Sequence, residues 1–364
     1  NFTNGQEMRN WMVSILQKRL MNRNIGVIVE FDKENYAENS PFTRLGKGSI
    51  GGKARGVAFL SSLLIRTNLT KSIPQLTIRV PQTLVVCTGV FDRFMQDNAL
   101  RQLDWDTMSD EDIAQHFSNA NLPEDIRSQL RVVLERLTFP LAVRSSSLLE
   151  DSASQPFAGV YATYMLPNNE AEVDRRLNRL CEAIQLVYAS TFFTNARGYI
   201  DGTPHNVEEE KMAVMIQKLV GRTQDPDSRY FYPVIAGVAQ SINHYPVGHQ
   251  QAEDGVTLVA LGLGRIVVEG GETLRFSPVT PNIMPQLSSP QAALKNTQKS
   301  FWALDLECTD TPLTDGEDAT LARRTLRCAQ NDGTLAVVGS VYSPEDDRIR
   351  DGLHHKGPRL VTFA

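Results

Sequence analysis

Apolar residues along the chain recur with two periods, and the alternation between them predicts the elements. "QEMRNWMVSILQKRLM" at 6–21 has apolar positions at helical spacing and predicts an amphipathic helix, and the strand-like "IGVIVEF" follows it. Beyond a polar loop containing Pro41, "RLGKGSIGGKARGVAFLSSLLI" reads as a glycine-rich loop running into a helix. "LTIRVPQTLVVCTG" then reads as a strand whose Thr88 is placed to cap the helix "VFDRFMQDNAL". Residues 104–138 are helical in pattern and acidic, most clearly in "NLPEDIRSQLRVVLERL", where Pro123 suits a first helical turn. After the strand-like "PLAV", residues 170–196 predict a long helix ended by Gly198, and "KMAVMIQKLVG" and "YFYPVIAGVAQSI" read as neighbouring strands. "GVTLVALGLGRIVVEGGETLRFSP" is a β-rich block with a glycine turn inside it, and the tail from Gly333 is a hairpin-like β region with a charged turn. The mixture predicts an α+β fold.

Composition narrows this picture only modestly. A chain of 364 residues suits two or three subdomains, and 41% apolar with 22% charged residues is ordinary globular usage, which excludes disordered and coiled-coil classes. Cys87, Cys181, Cys308 and Cys328 are far apart and form no C-x-x-C pair, so neither a zinc site nor a disulfide framework is expected, and a reducing cytoplasm is the expected compartment. The longest apolar runs fall short of the roughly 20 residues that a membrane-spanning helix needs. The chain opens at Asn1 and closes on the strand-like "RLVTFA", and both ends read as cut from a longer protein. The polar stretch "DGTPHNVEEE" and the proline-rich "SPVTPNIMP" are the expected boundaries. They divide the chain into an N-terminal extension at 1–40, a first subdomain at 41–205, a second at 206–285 and a β-rich C-terminal extension at 286–364.

Charge changes the picture more. The net charge of −5 conceals a stretch from Asn39 to Phe91 with no acidic residue, which carries Arg44, Lys47, Lys53, Arg55, Arg66, Lys71 and Arg79. A mildly acidic protein thus contains one cationic segment suited to an anion. Nucleic acid is not the expected anion, because a chain-wide basic surface with interleaved aromatics is missing. Gly46, Gly48, Gly51, Gly52 and Gly56, interleaved with Lys47, Lys53 and Arg55 ahead of a helix, suit phosphate, since glycine lets backbone amides approach an anion and the helix start adds a favourable dipole. The plainer alternative is a flexible turn with surface lysines. A dinucleotide fingerprint is excluded, because its acidic ribose partner about 20 residues on cannot exist in an acid-free stretch; a Walker loop fails because Ala54 follows Lys53.

The second candidate is "PLAVRSSSLLEDSASQPFAGVYATY". Arg144 ends a buried run, so its guanidinium arrives at a sheet edge as a planar fork suited to polyphosphate. Ser145, Ser146 and Ser147 suit either phosphate donation or helix capping, with capping the stronger reading. Glu150 and Asp151 suit either a magnesium ion held indirectly or the first turn of a capped helix. Ala158-Gly159, between Phe157 and Tyr161, is a small turn placed either as a lid or as core.

Taken together and in order, "GKGSIGGKARGVAFL", "IRVPQTLVVCT", "PLAVRSSSLLEDSASQPFAGVYATY", "VMIQKLVG", "AGVAQSINHYP" and "ALGLGRIVVEGG" resemble the nucleotide-binding domain of phosphoenolpyruvate synthase and pyruvate phosphate dikinase, over roughly residues 42–285. The resemblance implies an ATP-grasp-like domain with ATP between two α+β subdomains. It implies that Lys53 and Arg144 hold and act on the phosphates, that the turn at Gly159 closes over them, that Thr88 and Thr163 help line the site, and that Gln217 on "VMIQKLV" lines the adenine pocket. Three departures accompany it. Gly262-Leu263-Gly264-Arg265 has a base where the dikinases carry an acid. The family's metal-binding acid and glutamine, and hence its magnesium, are expected on strands beyond Ala364. His116, His205, His244, His249, His354 and His355 lie outside any phosphohistidine motif. The implied function is the ATP-binding part of a phosphoenolpyruvate synthase-like phosphotransferase that uses ATP and magnesium, with pyruvate or another small molecule as acceptor, further domains downstream, and poor turnover by this chain alone. The alternatives are a nucleotide-sensing regulatory module and an ATP-grasp dikinase acting on a glucan or an antibiotic.

Overall fold

The computed structural model describes residues 28–33, 41–67, 73–147, 159–200, 211–224, 228–248 and 250–363. The helix expected at 6–21, the acids Glu150 and Asp151, and His205 and His249 lie outside the described residues. The fold is mixed α+β, and its contacts separate two compact units, Asn1–Leu219 with Thr309–Ala319, and Val220–Cys308 with Thr320–Ala364.

The first unit is built on β1 (Val29–Glu30), β2 (Phe42–Leu45), β3 (Thr83–Val86), β4 (Leu141–Ser147), β5 (Thr163–Leu166) and β6 (Met212–Lys218), in the order β1-β2-β3-β6-β4-β5. The first two pairings are parallel and the remaining three antiparallel. Alternation along the strands sorts side chains to two faces. Leu84, Val86, Leu141, Val143, Val214 and Ile216 belong to one large core. The helices α2 (Thr88–Asp97), α3 (Asp110–Ser118), α4 (Glu124–Arg136), α5 (Val173–Ala189) and α6 (Thr194–Ile200) pack against it, α4 through aliphatic residues such as Ile126 and Leu130 and others through aromatics, Phe94 against Phe117 and Tyr188 among them. The other face carries Val85, Ala213 and Met215 and is covered by α1 (Gly51–Thr67) through Ala54 and Ala58.

Several local expectations change. Strand geometry in "LTIRVPQTLVV" is confined to Thr83–Val86. The helix expected to stop at Gly198 stops instead at Ala189; a 3-10 turn at Ser190–Phe192 and an extended Phe193 separate it from α6, inside which Gly198 lies. Ser190 explains the break, because its buried hydroxyl donates to Val187 O and accepts from Ala162 N, committing this turn to β5's approach. Pro123 is the residue before α4 rather than within its first turn.

The second unit holds three small sheets. β7 (Arg222–Thr223), β8 (Tyr230–Tyr232), β12 (Ser300–Asp305) and β13 (Leu321–Thr325) form one; β9 (Ala236–Gln240), β10 (Val256–Ala260) and β11 (Leu274–Phe276) form another; β14 (Gly339–Ser343), β15 (Arg348–Asp351) and β16 (Arg359–Val361) form the third. "KMAVMIQKLVG" and "YFYPVIAGVAQSI" are therefore not neighbours. The former is β6, inside the first unit's sheet, and the latter breaks at Pro233, which lacks an amide to continue a ladder, and feeds two different sheets. The glycine turn after β10 carries a four-residue helix, α7 (Arg265–Val268).

The segment Thr309–Ala319 returns to the first unit. Arg179 donates to Thr311 O, Leu313 N donates to Glu182 Oε1, Arg175 pairs with Asp310, and Leu313 is buried in the large core.

Candidate functional site

Strand register is what assembles the candidate residues. Arg144 on β4 lies opposite Met215 on β6 and Thr163 on β5, Met215 lies opposite Val85, and Val85 lies opposite Arg44. One row across the sheet thus reads Arg44, Val85, Met215, Arg144, Thr163. The next row on the same face contains Thr83, Gln217 and Ala142. Arg144, Thr163 and Gln217 therefore share the face that α1 covers in part, and Lys53 projects from the first turn of that helix.

The end of α1 is fastened to β4 by Ser146. Its buried hydroxyl donates to Ile50 O at 2.8 Å and accepts from Ala54 N at 3.0 Å, satisfying one of the free amides at the start of the helix. Ser145, equally buried, accepts from Lys53 Nζ at 3.0 Å, which sets the ammonium one residue from Arg144. The helix that the serines were expected to cap, with Glu150 and Asp151 in its first turn, lies outside the described residues; Ser146 instead serves the start of a helix 92 residues earlier in sequence. Gly51 permits the contact. It has φ +75°, and a Cβ there would sit 1.5 Å from Ser146 O.

The glycine loop is pinned against α2. Ser49 N donates to Thr88 Oγ1 and Thr88 N to Ser49 O, both at 2.9 Å, while Gly89 N donates to Lys47 O. Gly48, with φ +105°, allows this approach, since a Cβ would meet Thr88 Oγ1 at 2.6 Å. Cys87 is the residue that precedes α2, and Thr88 opens the helix and holds the loop rather than capping its own turn. The amides of Ser49 and Gly51 are taken by Thr88 Oγ1 and Ser49 Oγ, so the loop at these two positions serves packing instead of exposing amides to an anion.

Arg144 is half-buried, and its guanidinium makes no hydrogen bond or ion pair among the described residues. Every strong cation nearby on this unit's surfaces need not share that state: Arg93 makes a bidentate pair with Asp125, and Arg44 pairs with Glu30. A guanidinium held on a sheet with five donors and no carboxylate bonded to it among the described residues is arranged for an anionic ligand. Gln217 is buried and its Nε2 donates to Thr83 Oγ1 at 3.0 Å. Gly159 lies at an exposed turn with φ +75° and open space around it.

Sequence reasoning missed Glu317. Its carboxylate accepts from Thr163 N at 3.0 Å, on the strand beside Arg144, across a separation of 154 residues that no local pattern could signal. Burial pushes the Tyr164 hydroxyl well above its ordinary range, and Glu317 and Glu182 add to the shift. In the second unit Arg265 pairs with Glu269 one turn on, and its guanidinium lies 5.0 Å from the Trp302 ring centre. The base at this position is thus neutralised within its own helix. No group of three or more His, Cys, Asp or Glu among the described residues could hold a metal ion, and His116, His244, His354 and His355 are exposed. No helix among the described residues is long and apolar enough to cross a membrane.

The fold and site define a mixed α+β protein with a cationic, acid-poor sheet face. Residues 47–298 match the AMP/ATP-binding domain of pyruvate phosphate dikinase, and the chain belongs to that family. It is also 27% identical over 197 residues to an uncharacterized phosphotransferase, YvkC, of Bacillus subtilis (strain 168), an alignment covering 53% of this chain and 20% of that protein. The chain thus spans about a fifth of that relative's length.

Proposed function

We propose that the first unit binds the phosphates of ATP at Lys53 and Arg144, as the nucleotide-binding part of an ATP-dependent phosphotransferase. The carrying observation is the half-buried Arg144, unpaired among the described residues, next in sequence to the Lys53–Ser145 contact, on a sheet face where Thr163 and Gln217 stand in register. Family membership supports ATP as the ligand. The two cations have complementary roles. Arg144 presents a planar fork to two phosphate oxygens, whereas Lys53 supplies a point charge fixed by Ser145. Both act by stabilising charge on the phosphoryl group. Gln217 commits its amide nitrogen to Thr83, which leaves Oε1 as the acceptor for the adenine amino group and disfavours guanine, which has a carbonyl at that place. Thr163 and the Gly159 turn border the phosphates, and Thr88 acts indirectly by fixing the loop that leads to Lys53.

Magnesium, which commonly accompanies ATP, has no protein cage among the described residues. The acceptor, pyruvate or another small molecule, belongs to this reading as the partner class of a dikinase-like enzyme, with a cytoplasmic location and an ATP-grasp-like division of the domain. The competing reading, a nucleotide-sensing module, draws on Arg265, whose charge is spent on Glu269.

Isothermal titration of ATP into the wild-type chain and into Arg144→Ala and Lys53→Ala tests the proposal. Loss of a charge-assisted phosphate contact is expected to weaken binding by about 1.5–3 kcal/mol in each variant. Unchanged affinity in both folded variants would remove it. Gln217→Ala is expected to reduce the preference for ATP over GTP more than the affinity for triphosphate, and equal losses would place Gln217 outside the base site.

A further inference from the structure

The outer surface of α1 has no role in the site described above. Ala54, Ala58 and Ser61 face the sheet and are buried, while Phe59, Leu60 and Leu63 on the opposite side are 66%, 52% and 40% exposed. A large aromatic and two leucines adjoining on one exposed helix face mark an interaction site more often than an ordinary surface. Arg55 lies one turn before Phe59 and Arg66 one turn after Leu63, and both are exposed. They are eleven residues apart, so at 3.6 residues per turn they align on one side of the helix, about 16 Å from each other. Neither makes an ion pair among the described residues, and the sequence has no acid from Asn39 to Phe91 to neutralise them locally.

From this pattern we infer that the outer face of α1 docks an amphipathic helix of a partner protein, one that carries an apolar ridge with a carboxylate near each end. The end charges decide among occupants. A second copy packing its own α1 antiparallel would set Arg55 against Arg66, and a parallel copy would set each arginine against itself, so both arrangements oppose like charges. An anionic membrane would satisfy two arginines, but three apolar side chains on a helix already fixed to a sheet give little area to insert. A helix with Asp or Glu spaced to match meets the apolar centre and both ends at once.

The test uses the whole chain and two fluorescent synthetic peptides, each an amphipathic helix of about five turns with a leucine ridge. One has glutamates eleven positions apart at its ends and the other has lysines there. Anisotropy is expected to show the glutamate peptide binding at least about tenfold more tightly, with the advantage shrinking as salt rises. Arg55→Glu with Arg66→Glu is expected to reverse the order of the two peptides, and Phe59→Ser with Leu60→Ser to abolish binding of both while circular dichroism stays unchanged. Equal affinity for the two peptides, or no binding of either, would overturn the inference. So would self-association that Leu60→Glu abolishes, or capture of the chain by phosphatidylserine vesicles through the same residues.

Discussion

Gly51 is where the closeness of α1 to β4 can be measured. In Gly51→Ala the new methyl would sit 1.5 Å from Ser146 O and 2.4 Å from its carbon, both backbone atoms that cannot rotate away. The residue would also be held at φ +75°, which costs an L-residue roughly 1–2 kcal/mol before any clash. Relieving the clash requires α1 to lift from β4, which breaks the Ser146 bonds to Ile50 O and Ala54 N and leaves two buried groups unpaired, at about 1–3 kcal/mol each. The sum predicts a loss of about 3–8 kcal/mol, enough to unfold a domain of ordinary stability. Gly56, five residues on, has open space at its Cβ and lies mid-helix on the exposed side, so Gly56→Ala is expected to stabilise by about 0.5–1 kcal/mol through helix propensity alone. Urea unfolding followed by circular dichroism at a fixed temperature compares the two. A loss below about 1 kcal/mol for Gly51→Ala would refute the close approach of α1 to β4, which also brings Lys53 to Ser145.

Three further outcomes follow from the same packing. Arg176, 5% exposed, donates to Leu134 O and Leu137 O at 2.8 Å each and closes the end of α4, so Arg176→Met is expected to cost about 2 kcal/mol in urea unfolding, whereas a neutral result would mean that desolvating the guanidinium cancels its bonds. Burial pushes the thiols of Cys87 and Cys181 up, the latter to about 11 despite Arg127 beside it, so a thiol reagent at mildly alkaline pH should label Cys308 and Cys328 first and reach the other two only on unfolding; early labelling of Cys181 would contradict this core. Bidentate bonds from Arg93 hold the Asp125 carboxyl below its ordinary range, so its small contribution to stability is present above about pH 4 and is lost as the pH falls through the lowered value; Asp125→Asn should flatten that part of the acid limb, and an unchanged limb would count against the pair.

Much of the helical structure was legible because amphipathic spacing and end residues are local. The acids of α3 and α4, and the run from Gly51 to Thr67, declare themselves in the chain. Sheet order was not, because β6 sits between β3 and β4 through pairings between residues 65 or more positions apart, and nothing in "VMIQKLV" specifies those partners. The pairings of β6 with β3 and β4 span the expected division at 205/206, and that of β8 with β12 spans the one at 285/286. For the site, residue types were readable and relations were not. Arg144 and Lys53 stand out by charge in an acid-poor setting, but the docking of α1 on β4 depends on Ser145 and Ser146, and Glu317 reaches Thr163 from the far end of the chain. Glycine in the loop signalled close approach, while whether an anion or a neighbouring strand does the approaching lies beyond composition.

The central claim is that Arg144 and Lys53 form one phosphate site. A crystal structure of the chain with a non-hydrolysable ATP analogue measures this directly. Phosphate oxygens about 2.7–3.0 Å from the Arg144 guanidinium and from Lys53 Nζ are the predicted result. An ordered nucleotide whose phosphates contact neither side chain would contradict it.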